Sequence, residues 1–149
     1  MTPLMLQYNE IKKENPGCVL FFRMGDFFEL FDTDAELAAG ILGITLTSRN
    51  NGDAASTPLC GFPHHAAERY IPKMVAAGHR VAICEQIEDP KLAKGIVKRA
   101  VVEIISAGTA MNEGNLVEKE SNYLSALFPI GEDQLAFAFA DVTTGFFAA

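Results

Sequence analysis

The sequence is poor in cysteine and in long apolar runs, and these shortages exclude several classes of protein. None of its apolar stretches approaches the roughly 20 residues that a membrane-spanning helix requires. The N-terminus, MTPLMLQYNEIKK, lacks the basic segment and apolar core of a secretory signal peptide. The three cysteines, Cys18, Cys60 and Cys84, form no paired motif, so they are predicted to be buried thiols in a reducing cytosol.

Sequence motifs of several common enzyme classes are also missing. The chain contains no G-x-x-x-x-G-K-[ST], no G-x-G-x-x-G after a strand and no G-x-S-x-G. Cys60, His64 and His65 have a C-x3-H-H spacing that matches no common zinc pattern and lacks a fourth ligand, so no metal site is predicted. The stretch PLCGFPHHA instead indicates a turn leading into a helix, whose N-terminal amides are able to hold a phosphate.

Positive charge is scarce, with 12 basic against 19 acidic residues and a formal net charge of −7. This balance argues at first against a nucleic-acid partner, because phosphate binding needs cations. The acidity is uneven, however: residues 1–110 hold 11 basic and 13 acidic residues, whereas residues 111–149 hold one and six. Lys91, Lys94, Lys98 and Arg99 lie within nine residues. They indicate either a local phosphate-binding patch or a solvated loop.

The hydrophobic pattern predicts alternating helices and strands, and therefore an α/β (α+β) domain with a mixed sheet flanked by helices. Thr2 is the expected cap of the first helix, and Thr33 or Asp34 that of the second. Pro72 is expected to end the first turns of the third helix or to bend it. Helices are predicted over 2–15, 33–42 and 64–78, and strands over 18–24, 44–48, 58–62, 80–86 and 96–106.

The C-terminal part has a different pattern. We predict a first domain over residues 1–110, a polar linker over 111–121 and the beginning of another domain over 122–149. This last segment reads as two strands joined by the turn GEDQ, with a third strand as an alternative. A two-stranded piece is marginal alone, so the chain is expected to be a fragment that stops inside a second domain.

The most unusual stretch, RMGDFFELF, combines three phenylalanines with two carboxylates. In an extended strand Phe27 and Glu29 share one face, while Phe28 takes the other and packs in the core with Phe21 and Leu20. A flat apolar ring beside a hydrogen-bonding carboxyl group suits a nucleobase, and a Phe inserted from the minor groove can kink a duplex. The alternative is that Phe27 is itself a core residue beside a solvated Glu29.

Two further groups of residues carry open alternatives. Asp26, Glu29 and Asp32 are spaced like the carboxylates of a hydrolase or magnesium site, but no histidine or lysine is near them in sequence. Arg49, in the loop TSRNNGD after a predicted strand, is a further candidate for phosphate contact beside the basic cluster.

Six stretches together carry a resemblance to a known family. The sequence contains, in this order, FFRMGDFFELF, ITLTSR, PLCGFPHHA, VAICEQIEDP, KGIVKRAVVEIISAGT and ADVTTGFF. The chain resembles, over essentially its whole length, the N-terminal mismatch-recognition domain of the MutS family of DNA mismatch repair proteins. A Phe-x-Glu motif reads the mismatch in that family, and it maps onto Phe27 and Glu29. Phe28 stands where the family often has tyrosine.

The resemblance implies a non-enzymatic DNA-binding module. Phe27 would wedge into the minor groove and stack on the mispaired base, and Glu29 would hydrogen-bond that base. The candidates for contact with the DNA backbone are Arg49, Lys94, Lys98 and Arg99. No cofactor or metal is expected in this part of the protein, because ATP and Mg²⁺ would bind a C-terminal ATPase domain. Residues 122–149 would begin a connector domain of ribonuclease-H-like fold.

The expected partners follow from the same resemblance: double-stranded DNA with mismatches, a second copy of the protein joined through further domains, and a MutL homologue. No membrane is expected among them, and the expected location is the bacterial cytoplasm, in association with the nucleoid. Two other classes stay open from the residues alone. One is a small-molecule enzyme that uses Asp26, Glu29, His64 and His65, and the other is a module that only binds proteins.

Overall fold

The structure is a computed structural model, and it describes residues 2–49, 56–93, 95–107, 121, 123–131 and 133–149. The chain divides into two compact units, Met1–Ile105 and Ser106–Ala149. The first unit contains the helices α1 (Pro3–Glu14), α2 (Asp32–Leu42) and α3 (Ala67–Ala76) and the strands β1 (Cys18–Met24), β2 (Phe27–Phe31), β3 (Thr47–Arg49), β4 (Thr57–Pro63), β5 (Arg80–Gln86) and β6 (Arg99–Ile105). The second contains β7 (Tyr123–Pro129), β8 (Leu135–Asp141) and β9 (Phe147–Ala148).

The first unit is built on one mixed sheet of six strands in the order β3-β4-β2-β1-β5-β6. The pair of β1 and β5 is parallel, and the other pairs are antiparallel. A parallel pair requires a long crossover between its strands, and the chain from β2 through α3 supplies it. The predicted mixed sheet flanked by helices is therefore confirmed.

Helix α1 covers one face of the sheet. Thr2 caps it as predicted, since its Oγ1 accepts a hydrogen bond from the amide of Met5. Tyr8 on α1 packs edge-on against the rings of Phe22 and Phe31, with centroids 5.4 Å and 4.9 Å away. Cys18, Leu20 and Phe22 alternate along β1 toward this side, and they join one buried cluster with the α1 residues.

The opposite face holds a second aromatic group. The ring of Phe21 lies 6.0 Å from Phe28 and 5.1 Å from Phe62, and Phe62 contacts Tyr70 of α3 at 4.7 Å. Both faces of β1 are therefore filled by large apolar side chains, which explains its nearly continuous apolar sequence.

Several predicted boundaries are corrected. Helix α2 begins at Asp32, one residue earlier than predicted, and neither Thr33 nor Asp34 caps it, because Phe31 occupies the cap position. The predicted helix over 64–78 is a 3₁₀ helix, His64–Ala66, followed by α3, which continues through Pro72. Strand β3 covers Thr47–Arg49 instead of 44–48, and β6 begins at Arg99 instead of residue 96.

The second unit is a three-stranded antiparallel sheet in the order β7-β8-β9. Its first two strands pair over residues 123–129 and 135–141, on either side of the predicted GEDQ turn, whose Glu132 lies outside the described residues, and β9 supplies the third strand. The predicted linker covers residues 111–121. Of these, only residue 121 belongs to the described residues.

The three cysteines of the first unit are buried and free, which confirms the prediction of buried thiols. Burial raises the pKa of Cys60 to about 11 and that of Cys84 to about 12. Within the described residues, no helix has both the length and the apolar character needed to cross a membrane.

Candidate nucleic-acid interface

The tip of the β1–β2 hairpin presents the Phe-x-Glu stretch. Met24 and Phe27 face each other across a two-residue turn formed by Gly25 and Asp26. Gly25 has a φ of 58°, a conformation that glycine adopts without strain and that tight hairpins require. The amide of His64 donates a 2.8 Å hydrogen bond to the carbonyl of Asp26, which fixes the turn against the end of β4.

Phe27 lies at this tip and is 47% exposed. Its register partners are Met24 on β1 and Pro63 on β4. The interpretation of Phe27 as a core residue is therefore wrong. Its neighbour Phe28 points the other way and is 3% exposed.

The predicted packing of Phe28 is half right. Its ring lies 6.0 Å from that of Phe21, as expected, and 6.0 Å from that of Phe62. Leu20, the other expected neighbour, belongs to the buried cluster under α1 on the opposite face. The guanidinium of Arg23 lies 5.7 Å from the centre of the Phe28 ring.

Glu29 shares the face of Phe27, and its side chain is 23% exposed. Its register partners are Phe22 on β1 and Gly61 on β4. A Cβ at Gly61 would lie 2.9 Å from the carbonyl oxygen of Phe28 and 3.5 Å from Cγ of Glu29. The glycine therefore permits the close approach of the two strands and leaves room beside the carboxyl group.

Two arginines act on this carboxyl group. Nη1 of Arg49 lies 3.5 Å from Oε2 of Glu29, at the edge of the sheet. Burial raises the pKa of Glu29 above its ordinary value, and the charges of Arg49 and Arg99 oppose that rise. The net direction is upward because the loss of solvation outweighs the two cations. The carboxyl group is therefore easier to protonate than one in water.

Arg99 is held by the fold. Its Nε donates to the carbonyl of Arg23 at 2.6 Å, and its Nη1 donates to Oε1 of Gln7 at 3.0 Å and to the carbonyl of Val97 at 2.8 Å. The guanidinium also lies 4.9 Å from the centre of the Phe22 ring. These contacts fix the position of one cation on the face that carries Glu29. Among the described residues, the hydrogen bonds of Arg99 use Nε and Nη1.

The other cations predicted to contact DNA are placed less closely. Lys98 has an exposed side chain in the segment between β5 and β6, where its amide donates to Oε1 of Glu88 at 2.7 Å. Lys94 lies outside the described residues. The structure therefore brings Arg49 and Arg99 to Glu29, and it leaves Lys98 in the neighbouring loop.

Among the contacts of the described residues, none joins a histidine side chain of the alternative small-molecule site to the carboxyl group of Asp26 or Glu29. His64 meets Asp26 only through the backbone hydrogen bond described above. The rings of His64 and His65 face each other edge-on at 5.9 Å. Among the described residues, no three metal-ligating side chains come together.

Sequence reasoning missed two features of this site. Nothing in the spacing indicated that Arg49 and Glu29 form an ion pair, because they are 20 residues apart and meet only through the pairing of β3 with β4 and of β4 with β2. Gly61 was detectable in principle, since an isolated glycine inside a strand indicates a close backbone approach. By fold and site, the chain is a small mixed-sheet domain that presents an aromatic ring, a carboxyl group and arginines on one face.

Comparisons with known proteins specify the family. A sequence profile described as MutS domain I matches residues 2–114. The DNA mismatch repair protein MutS of Desulforamulus reducens is 50% identical over 147 residues, which are 99% of this chain and 17% of that protein. Proteins of the same name from Flavobacterium psychrophilum and Rhodopirellula baltica are 51% and 46% identical over 98% and 100% of this chain, and 17% and 19% of their own lengths.

The chain therefore belongs to the MutS family of DNA mismatch repair proteins, and the resemblance found in the sequence is confirmed. It spans less than a fifth of the length of these curated relatives.

Proposed function

We propose that this domain recognises mismatched or unpaired bases in duplex DNA by inserting Phe27 into the minor groove. The observation that carries the proposal is the exposure of Phe27 at the tip of a hairpin, directly beside the half-buried carboxyl group of Glu29. An aromatic ring left in water next to a poorly solvated carboxyl group has no evident structural role. Both groups find partners at a base that has left its stack.

The energetics of DNA deformation favour insertion of Phe27 at a mismatched base over insertion at a paired one. Insertion of an apolar side chain unstacks a base step and kinks the duplex, at a cost of a few kcal/mol. A mismatched base has already lost part of its pairing, so it rotates toward the protein more easily than a paired one. The domain therefore selects deformable sites without reading a fixed sequence.

Glu29 discriminates in the same complex. A carboxylate is repelled by phosphates, but a protonated carboxyl group is able to donate a hydrogen bond to a base acceptor. Burial already raises the pKa of Glu29 in the free domain, and DNA would raise it further by excluding water and adding negative charge. Glu29 therefore takes up a proton on mismatch binding. Calorimetry in several buffers would detect the uptake, and an equal uptake by the Glu29→Gln variant would contradict it.

Arg49, Lys94, Lys98 and Arg99 are the proposed contacts with the DNA backbone, with Arg49 and Arg99 supported by their position beside Glu29. Few cations mean weak binding by this chain alone and a shallow dependence of its affinity on salt, because the salt slope scales with the number of phosphates contacted. The domain is proposed to perform no catalysis. ATP and Mg²⁺ would bind an ATPase domain outside this chain, and residues 122–149 would begin the connector domain.

The remaining proposals concern the whole protein. It would act as a homodimer around DNA, assembled through other domains, and would bind a MutL homologue. Its proposed location is the cytoplasm, in association with the nucleoid. These proposals rest on family membership, because the chain covers 17–19% of the relatives' lengths.

The test measures the affinity of the natural protein that contains this sequence for mismatched DNA. Binding of the Phe27→Ala variant and of the wild type is compared on G·T and on fully paired duplexes at one stated salt concentration. We expect the preference for G·T to fall by about fivefold to 150-fold, because stacking on an aromatic ring contributes about 1–3 kcal/mol and about 1.4 kcal/mol is a tenfold change. Weak binding to both duplexes should survive.

Phe128→Ala is the matched control, since Phe128 is an exposed phenylalanine of the second unit. It should leave the preference for G·T unchanged. An unchanged preference in Phe27→Ala would refute the proposed role of this ring in recognition.

A further inference from the structure

Of the cations that the structure describes, Arg49 forms the ion pair with Glu29, and it is placed to do more than contact phosphate. We propose that Arg49 holds Glu29 ionised in the DNA-free protein, so that the carboxyl group takes up its proton only against a mismatched base. The proposal rests on the function proposed above. It adds that Arg49 controls whether the carboxyl group of Glu29 is ionised. Arg49 is thus a positioning and specificity residue that acts through Glu29.

The strand register brings the two groups together. Arg49 pairs with Thr57 on β4, and Glu29 pairs with Gly61 four residues further along the same strand. Residues four apart in a strand point to the same face, so both side chains lie on one side of the sheet. Nη1 of Arg49 lies 3.5 Å from Oε2 of Glu29, whose Cγ lies beside Gly61, a residue without a side chain.

The contact is a single weak ion pair. The Arg49 side chain is 45% exposed and lies on the edge strand β3, so most of its guanidinium remains in water. A half-exposed pair of this kind contributes little to stability. By linkage, the free energy that the pair contributes to the folded protein with Glu29 ionised is the same free energy by which Arg49 lowers the pKa of that carboxyl group.

The other groups around Glu29 leave Arg49 as the adjustable cation. The adjacent strands β1 and β4 place uncharged Phe22 and Gly61 opposite it. Strand β6 contributes Arg99, which is fixed by hydrogen bonds to three other residues. Among the described residues, Arg49 and Arg99 are thus the charged groups that act on this carboxyl group. Arg49 is the one free to turn toward a DNA phosphate when Glu29 becomes neutral.

Proton linkage gives this arrangement a measurable signature. A mismatch complex takes up a proton only where Glu29 is ionised in the free protein and neutral in the complex. The lower pH limit of proton uptake therefore reports the pKa of Glu29 in the free protein. Without Arg49 the opposing cation is lost and the pKa rises, so that this lower limit moves to higher pH.

The first experiment needs no DNA. The side-chain carboxyl resonance of Glu29 is titrated by NMR in this chain, in the wild type and in Arg49→Gln. We expect a higher pKa of Glu29 in the variant. Arg49→Lys, which keeps the charge, should restore most of the wild-type value. Arg69→Gln is the matched control, because Arg69 is an exposed arginine on α3, which packs on the opposite face of the sheet. An unchanged pKa in Arg49→Gln overturns the proposal and leaves the role of Phe27 untouched.

The second experiment measures proton uptake on binding a G·T duplex, by calorimetry in several buffers between about pH 5 and pH 8. The natural protein and its Arg49→Gln and Arg69→Gln variants are compared at one salt concentration. We expect the lower limit of uptake to move upward in Arg49→Gln alone. A limit that stays in place although the NMR pKa has risen would overturn the link between Arg49 and recognition. An absence of uptake in the wild type would refute both this proposal and the proposed protonation of Glu29, whereas the Phe27→Ala test would still stand.

Discussion

The two ends of strand β2 have the same kind of sequence and opposite surroundings. At its C-terminal end Leu30 and Phe31 are fully buried, and we call this the covered end. At its N-terminal end Phe27 is 47% exposed and Glu29 is partly exposed, and we call this the open end. On the face shared by Phe27, Glu29 and Phe31, helix α1 accounts for the difference, since Tyr8 packs on Phe31. The apolar pattern of FFELF alone does not separate a core strand from a binding surface.

The carboxyl groups near the two ends show the same contrast. At the covered end, the Asp34 carboxylate accepts hydrogen bonds from Nζ of Lys12 at 2.6 Å and from the amide of Leu20 at 2.9 Å, with the hydroxyl of Tyr8 at 3.4 Å. At the open end, Glu29 has one ion pair with the residues that the structure describes, at 3.5 Å. A buried carboxylate with several donors stabilises a fold, whereas a poorly solvated one with a single weak partner is available to a ligand.

The sharpest test of this contrast compares two neighbouring phenylalanines. Phe28→Ala should lower the free energy of unfolding by about 3–5 kcal/mol, because it empties a site between Phe21 and Phe62. Phe27→Ala should lower it by about 1 kcal/mol or less, because its ring is half in water. Urea denaturation of both variants, followed by circular dichroism, measures the difference. Equal losses would mean that Phe27 packs in the core as Phe28 does.

The second test removes the buried carboxylate at the covered end. Asp34→Ala should lower the free energy of unfolding by about 3 kcal/mol, because it leaves the amide of Leu20 without its acceptor and the ammonium of Lys12 without its anionic partner. Asp34→Asn is the matched variant. It keeps an oxygen for the Leu20 amide and loses the charge, so it should cost less. A loss below about 1 kcal/mol in Asp34→Ala would show that water replaces the carboxylate easily.

Much of the fold was predictable from the sequence because its signals are local. Thr2 before Pro3 predicted the start of α1, and the apolar runs of β1 and β5 predicted buried strands, all of which the structure confirms. The start of α2 was wrong for a non-local reason. Asp34 looks like a helix cap in the sequence, but it is used instead by Lys12 and Leu20, which approach it through the tertiary fold.

The sequence predicted which residues form the candidate site, but it did not predict the ion pair between them. Alternation along β2 put Phe27 and Glu29 on one face, and the structure confirms that placement. The ion pair of Glu29 with Arg49 depends on the lateral order of β2, β4 and β3. Sequence spacing carries no information on that order, so the pair emerged only from the structure.

The smallest expected effect concerns the stability of the open end. The folded protein raises the pKa of Glu29 above its ordinary value of 4.5, so the protonated form of Glu29 favours the folded state. This contribution to the free energy of unfolding is fully present below about pH 4.5, and it is lost as the pH rises through the pKa of Glu29 in the folded protein. Glu29→Gln removes this penalty, so the variant should be more stable than the wild type at pH 7, by about 1 kcal/mol or less, and equal to it near pH 4. Urea denaturation at both pH values tests this, with Glu68→Gln on α3 as the control for one lost negative charge. A variant that is less stable at pH 7 would show that the pair with Arg49 outweighs the loss of solvation. Glu29 would then belong with Asp34 as a stabilising carboxylate, and the contrast between the two ends of β2 would rest on Phe27 alone.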